Sequence, residues 1–195
     1  VNAPGVYSVT VEDSNGCINE TDTTVIEQAL PVFSIVGPTN FCVDSFTVLN
    51  VAPAFAAYDW SVGSDQQSVQ VSTGGTVGVT VTDSNGCISS GAQTLATVPL
   101  PLADAGNPQD LDCEVLEVNL GGNGSTTGSQ FTYQWTGPGI TPTNENLLTP
   151  TVGEPGIYTL QVTNENFGCL SAPAQVEIED LAYTCLLYTS PSPRD

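Results

Sequence analysis

The side chains in this 195-residue chain that could do chemistry are six cysteines, two tryptophans and twenty-one carboxylates, and little stands beside them. There is no histidine and no lysine, and Arg194 is the one basic residue, so the formal net charge is -20. A serine or cysteine nucleophile has no conventional base partner in such a chain. What remains is carboxylate chemistry of the kind that cleaves glycosidic bonds between two acids. No pair stands out: Asp13 and Asp83 fall in turn signals, and Glu117 and Glu177 fall on polar faces of expected strands. The chain is therefore expected not to be an enzyme. Nucleic acid is excluded as a partner, because phosphate contacts need cations. Membrane insertion is excluded because no apolar run reaches the length of a span. Metal binding by Cys and His has no basis without CxxC or histidine. Calcium is the one cofactor that the anionic, oxygen-rich surface admits, with acids such as Glu27, Asp104 and Asp110 near linkers. The recurring "DSNG" lacks the spaced acids and terminal Glu of a calcium loop, so no cofactor is expected.

The elements that carry these residues recur. "PGVYSVTVEDSNGC" (Pro4 to Cys17), "GGTVGVTVTDSNGC" (Gly74 to Cys87) and "PGIYTLQVTNENFGC" (Pro155 to Cys169) are three versions of one passage, about 70 to 80 residues apart. That spacing indicates tandem domains. Tyr7, Val9 and Val11, then Val77, Val79 and Val81, then Tyr158, Leu160 and Val162 alternate as one buried strand face. Behind each strand the residues Asp13, Asn15 and Gly16, or Asp83, Asn85 and Gly86, supply a hairpin turn. Further strands are expected near 32–35, 46–51, 57–62, 68–72, 75–82 and 94–98, and in "VLEVNLGG", "FTYQWTG", "IYTLQVT" and "AQVEIED". Short strands, frequent turn residues and no helical period give an all-β chain of antiparallel β-sandwiches. The expected division is a hairpin of a truncated module at 1–28, poorly packed or added to a sheet edge for want of its partner sheet, sandwiches at 29–98 and 102–180, and a stub with a tail at 181–195. Trp60 in "YDW" and Trp135 in "YQW" take matching places as core aromatics. A sugar-stacking role is the alternative.

"ADAGNPQDLDCEVLEVNLGGNGSTTGSQFTYQWTGPGI", "PGIYTLQVTNENFGC" and "TVGVTVTDSNGC" resemble the polycystic-kidney-disease-like (PKD-like) and immunoglobulin-like modules of very large surface and secreted proteins of gliding-type, Bacteroidota-like bacteria. The resemblance covers about residues 1 to 180. It implies a stalk or adhesin array exported by the type IX secretion system, extracellular or at the cell surface. The "WDFGDG" of better-known modules of this kind is replaced by "WSVGSD" from Trp60 to Asp65, so no ligand residue transfers.

Each complete module has two cysteines around its tryptophan: Cys42, Trp60, Cys87, and Cys113, Trp135, Cys169. The order resembles that of immunoglobulin domains and points to an oxidising compartment. Pairing of Cys42 with Cys87 and of Cys113 with Cys169 is the first expectation, with Cys17 left alone. Pairing between modules and reduced thiols are the alternatives, because one cysteine precedes the second strand while the other follows the last turn.

The final "CLLYTSPSPRD" (Cys185 to Asp195) resembles translated sequencing-adaptor read-through and is set aside from the fold. The start at Val1 and the lack of Met fit an internal fragment. Two roles follow for the remainder. One is a structural or adhesive spacer whose partners are neighbouring modules, its linkers "EQALP" and "TVPLPLADAG" stiffened by Pro. The other is an accessory module binding a surface polysaccharide or a protein through loop aromatics, for which Phe41, Phe55 and Phe167 are available.

Overall fold

A computed structural model describes residues 3–181; the tail from Cys185 to Asp195 lies outside the described residues. Among the described residues the regular elements are all strands apart from one 3-10 turn at Gly122–Gly124. In chain order they are β1 (Gly5–Glu12), β2 (Ile18–Val25), β3 (Ser34–Val36), β4 (Asn40–Cys42), β5 (Thr47–Ala52), β6 (Ala57–Trp60), β7 (Ser68–Val71), β8 (Gly75–Thr82) and β9 (Ile88–Val98). There follow β10 (Gln109–Leu111), β11 (Val118–Asn119), β12 (Phe131–Thr136), β13 (Thr151–Val152), β14 (Gly156–Asn164), β15 (Cys169–Leu170) and β16 (Ala174–Asp180). The chain is all-β, built of antiparallel sheets with two short parallel pairings at their edges.

Two compact units are distinguished. The first comprises Val1–Gly37, Val48–Val71 and Thr76–Thr94. The second comprises Pro38–Thr47, Ser72–Gly75 and Leu95–Asp195. In the first, β3, β5 and β7 form one sheet, and β6, β8 and β9 belong to another whose order is β4-β9-β8-β6. Strand period two decides what is inside. Leu49, Val51, Val69 and Val71 are buried from one sheet, and Trp60, Val77, Val79 and Val81 from the other. The outward face of β8 and β9 carries hydroxyl pairs instead, Thr80 with Ser90 at 3.0 Å and Thr76 with Thr94 at 3.3 Å.

In the second unit the sheet order is β10-β16-β14-β12, with β15 on β14, while β11 and β13 make a small second sheet. One core joins both sheets, with Trp135, Tyr158, Leu160, Val162, Val176 and Ile178 from the large sheet and Val118 and Val152 from the small one. Gly137 permits this closure. Its φ of 152° lies in the region glycine favours, and a Cβ there would stand 2.5 Å from Tyr158 Cδ1.

Two expectations about elements need correction, and a third is met. The three-residue strands β4 and β10 were not expected, since each exists through parallel pairing with the end of a distant strand, Phe41 opposite Thr97 and Asp110 opposite Glu179. The last strand of the second copy begins at Ile88 rather than near Thr94, because β8 draws Ser89, Ser90, Gly91 and Ala92 into the sheet despite their weak strand preference. The first copy's hairpin is poorly packed, as its missing partner sheet implies, and its alternating face is not buried. Val9 and Val11 are 55% and 60% exposed, whereas their counterparts Val79 and Val81 are 2% and 0% exposed. β1 and β2 pair with each other and with no other strand among the described residues, so no second sheet covers them.

Candidate functional site

The turn after each long strand is set by one side chain. Asp13 accepts the N–H of Asn15 at 2.8 Å and of Cys17 at 2.9 Å through one carboxylate oxygen. Asp83 accepts those of Asn85 and Cys87 at the same two distances. Asn164 takes the corresponding place in the third copy and accepts the N–H of Asn166 at 3.1 Å. Gly16, Gly86 and Gly168 follow with φ of 82°, 84° and 68°. The N–H groups of Cys17 and Asn15 hold the Asp13 carboxyl below its ordinary 3.8. These carboxylates serve backbone N–H groups, and each turn delivers a cysteine at its end. Among the described residues no group of three or more His, Cys, Asp or Glu side chains is placed to hold a metal ion.

The cysteines do not pair within copies. Cys42 is disulfide-bonded to Cys169, with Cα atoms 5.5 Å apart and a sequence separation of 127. Cys87 and Cys17 are free thiols, Cys87 half-buried and Cys17 exposed. Cys113 is itself disulfide-bonded, and Cys169 is not its partner. The expected pairs Cys42–Cys87 and Cys113–Cys169 are therefore replaced by a bond between the stretch read as the second copy and that read as the third.

Strand geometry gives the reason. Cys42 lies opposite Val98, at the end of the eleven-residue β9, whereas Cys87 stands just before that strand begins. The strand rise puts them about 35 Å apart along it, against the ~7 Å limit for bridged Cα atoms. Cys113 follows Leu111, which pairs with Asp180 at the end of β16, while Cys169 precedes that strand. The early and late cysteines of a copy occupy opposite ends. At the bond itself Cys42 Sγ lies 3.9 Å from the Phe167 carbonyl oxygen. A disulfide sulfur has no hydrogen to donate, so this is packing.

Both tryptophans are in cores, Trp60 1% and Trp135 0% exposed. Each indole N–H donates to the loop that follows its strand, Trp60 to the Gln66 carbonyl at 2.8 Å and Trp135 to the Leu147 carbonyl at 3.1 Å. That geometry leaves no ring face for a sugar. A second tie was missed in the sequence. The Tyr158 hydroxyl donates to the Glu154 carbonyl four residues back, and Tyr7 does the same to Ala3 at 2.7 Å. Burial, with the Glu154 charge adding to it, pushes the Tyr158 phenol above its ordinary 10.0. The signal was present as "PGVY" and "PGIY", a tyrosine two residues after a proline-glycine corner.

The three phenylalanines considered as loop aromatics separate. Phe41 is buried in β4, and Phe55 packs edge-on against Phe33 with ring centroids 6.2 Å apart. Phe167 is 45% exposed. Phe33 also presses on Gly91, where a Cβ would meet its ring at 2.9 Å. Beside that contact runs an open groove of about 350 Å³ between Pro31–Ile35 and Ser89–Gln93. Its walls carry hydroxyl and amide groups but no carboxylate. No helix among the described residues is long and apolar enough to cross a membrane.

No family model and no curated protein matches the chain. Among solved structures it is similar to the PKD domain from KIAA 1837 protein, with 20% identity, a TM-score of 0.32 and coverage of 51% of this chain and 99% of that one. It is similar to murine CEACAM1b at 13% identity and a TM-score of 0.33, covering 75% and 100%. It is also similar to the SGBP-B of the Bacteroides ovatus mixed-linkage glucan utilization locus, solved with a mixed-linkage heptasaccharide, at 10% identity and a TM-score of 0.24, covering 90% and 53%. Scores this low carry no argument about activity. The fold class stands on the strands and pairings of the chain itself.

Proposed function

We propose that the chain is a non-catalytic structural repeat region, a stalk or spacer of tandem immunoglobulin-like and PKD-like sandwiches in a secreted or cell-surface bacterial protein. In this reading the copies are 29–98 and 102–180, with 1–28 the final hairpin of a further copy. The observation that carries it is the Cys42–Cys169 bond between positions 127 residues apart, which draws Cys42, from the stretch read as one copy, into the same compact unit as Cys169, from the stretch read as the next. A bond of that span fixes one copy to the next and persists where thiols are oxidised, outside the reducing cytoplasm. Such a bond adds to the Pro-stiffened linkers, because sandwiches joined by a linker alone move relative to one another by default. The carboxylates fit the same reading: they terminate hairpins or face water, and with one arginine against twenty-one acids they keep neighbouring molecules apart by charge.

Pulling single molecules by their ends tests the proposal. The residues between the bonded cysteines are shielded from force, so reduction should release about 430 Å of extra chain on unfolding. Equal extension before and after reduction would remove the stapled-spacer reading. Saturable binding to a polysaccharide, weakened by substitution in the groove beside Phe33, would replace it with a binding module.

A further inference from the structure

The Cys42–Cys169 bond has a direction, set by where each cysteine sits in its copy. Cys42 closes β4 opposite Val98, where the last strand ends and the chain leaves for the next copy. Cys169 follows the turn after β14, at the opposite end of its own copy from the exit at Asp180. The bond therefore joins the exit end of one copy to the turn of the following one.

Cys87 and Cys17 occupy that same turn position. Like Cys169 they follow an Asx turn that ends in a left-handed glycine, although "DSNG" is one residue shorter than "NENFG" and its Asp also accepts the cysteine N–H, yet both are free thiols. A contact independent of the cysteines shows which way the second copy's turn points. Asn85 Nδ2 donates to Gln28 Oε1 at 3.2 Å, and Gln28 belongs to the linker that leads into this copy. The turn stands at the entry end, beside whatever precedes the copy.

We propose that Cys87, and Cys17 by the same rule, are the receiving halves of a copy-to-copy disulfide ladder, each completed by the exit-end cysteine of a preceding copy, the counterpart of Cys42. The inference rests on the tandem-copy reading above. Each rung forms by exchange with a disulfide oxidant. One thiolate attacks the oxidant, giving a mixed disulfide and releasing one thiol; the second thiolate attacks the mixed disulfide and releases the other. Two protons and two electrons leave the protein, and the oxidant ends as two thiols. Cys17 is exposed and Cys87 half-buried, so both are open to that attack.

The full chain with residues 29–98 duplicated in tandem tests the ladder, a Val43→Ile exchange marking the first duplicate. After refolding in oxidised glutathione, peptides mapped without reduction should link the first duplicate's Cys42 to the second duplicate's Cys87, beside the original bond to Cys169. Replacing the second duplicate's Cys87 by Ser should leave the first Cys42 open to alkylation; if it stays protected, its partner lies elsewhere and the ladder is overturned. A first Cys42 that remains alkylatable while the bond to Cys169 is intact overturns the ladder and leaves the spacer reading standing. Loss of the Cys169 bond in the unextended chain would instead strike the spacer reading. Should the extended chain not fold, the partnership is read between molecules. A Cys169→Ser chain, its Cys42 freed, should cross-link to Cys87 of the unaltered chain in the same buffer, and a cross-link that avoids Cys87 overturns the proposal.

Discussion

Cys42 and Cys169 stand 5.5 Å apart at their Cα atoms although 127 residues separate them, and the bond between them ties together stretches that the repeat assigns to different copies. Closing a loop of that length restricts the unfolded chain by about 5 kcal/mol on the chain-entropy model. Cys169→Ser and Cys42→Ser should each lower the denaturant midpoint, by nearly the same amount. The double variant should lose no more than either alone, since one bond is lost in all three. A purified chain titrated with urea before and after reduction checks this, and an unchanged midpoint would refute it.

The valines of the first two copies predict a contrast between identical substitutions. Val79→Ala removes two methyl groups from a filled core, where Val79 is 2% exposed, and should cost about 2 kcal/mol. Val9→Ala, at the matching place but 55% exposed, should change stability by less than about 0.5 kcal/mol. Hydrogen exchange should show the same order, with the β1–β2 amides exchanging well before those of β8. Equal costs would mean that the first hairpin is covered in solution.

Tyr158→Phe deletes the hydroxyl that holds the Glu154 carbonyl and should cost about 1 kcal/mol with the core unchanged. The phenol also sets an alkaline limit. Its folded value is raised above 10.0, so the contribution is fully present below pH 10 and is lost as pH rises through the higher folded value. Absorbance titration should show a tyrosine step above 10.0 that is missing in Tyr158→Phe.

At acid pH the sign reverses. The Asp112 carboxyl accepts the N–H groups of Val115 and Glu114, each at 2.7 Å, and is held below 3.8 mainly by the first. Asp13 is lowered in the same way by Cys17 and then Asn15. These turns are supported above the unfolded value near 3.8, and the support is lost as pH falls through the lower folded values. The amide resonances of Val115 and Cys17 should shift with midpoints below 3.8. A midpoint at or above that value would show that the hydrogen bonds do not form.

The long strands were legible because their period is local. Val77, Val79 and Val81, or Tyr158, Leu160 and Val162, show alternation without reference to any other part of the chain. The turn residues were legible for the same reason, since Asp83 bonds residues only two and four positions away. β4 could not be read in this way. Asn40, Phe41 and Cys42 become a strand only beside Ala96, Thr97 and Val98, and the placement of Cys42 at the exit end follows from that pairing. The cysteine partners were hidden with it: the Cys, Trp, Cys order is a one-dimensional cue, whereas bonding depends on which end of a sandwich each thiol reaches. The Tyr158 corner lay within four residues and was available to local reading, but its alternation with Leu160 and Val162 marked it first as a core side chain.

The central claim is that the cysteines bind copy to copy, and a peptide map of the purified, unreduced chain tests it most directly. Free thiols would be alkylated first, the chain cleaved at its acidic residues, and the linked peptides identified by mass. The expected result is a linked pair containing Cys42 and Cys169, with Cys113 also protected and Cys17 and Cys87 carrying the alkyl label. A linked pair of Cys42 with Cys87, or of Cys113 with Cys169, would contradict it.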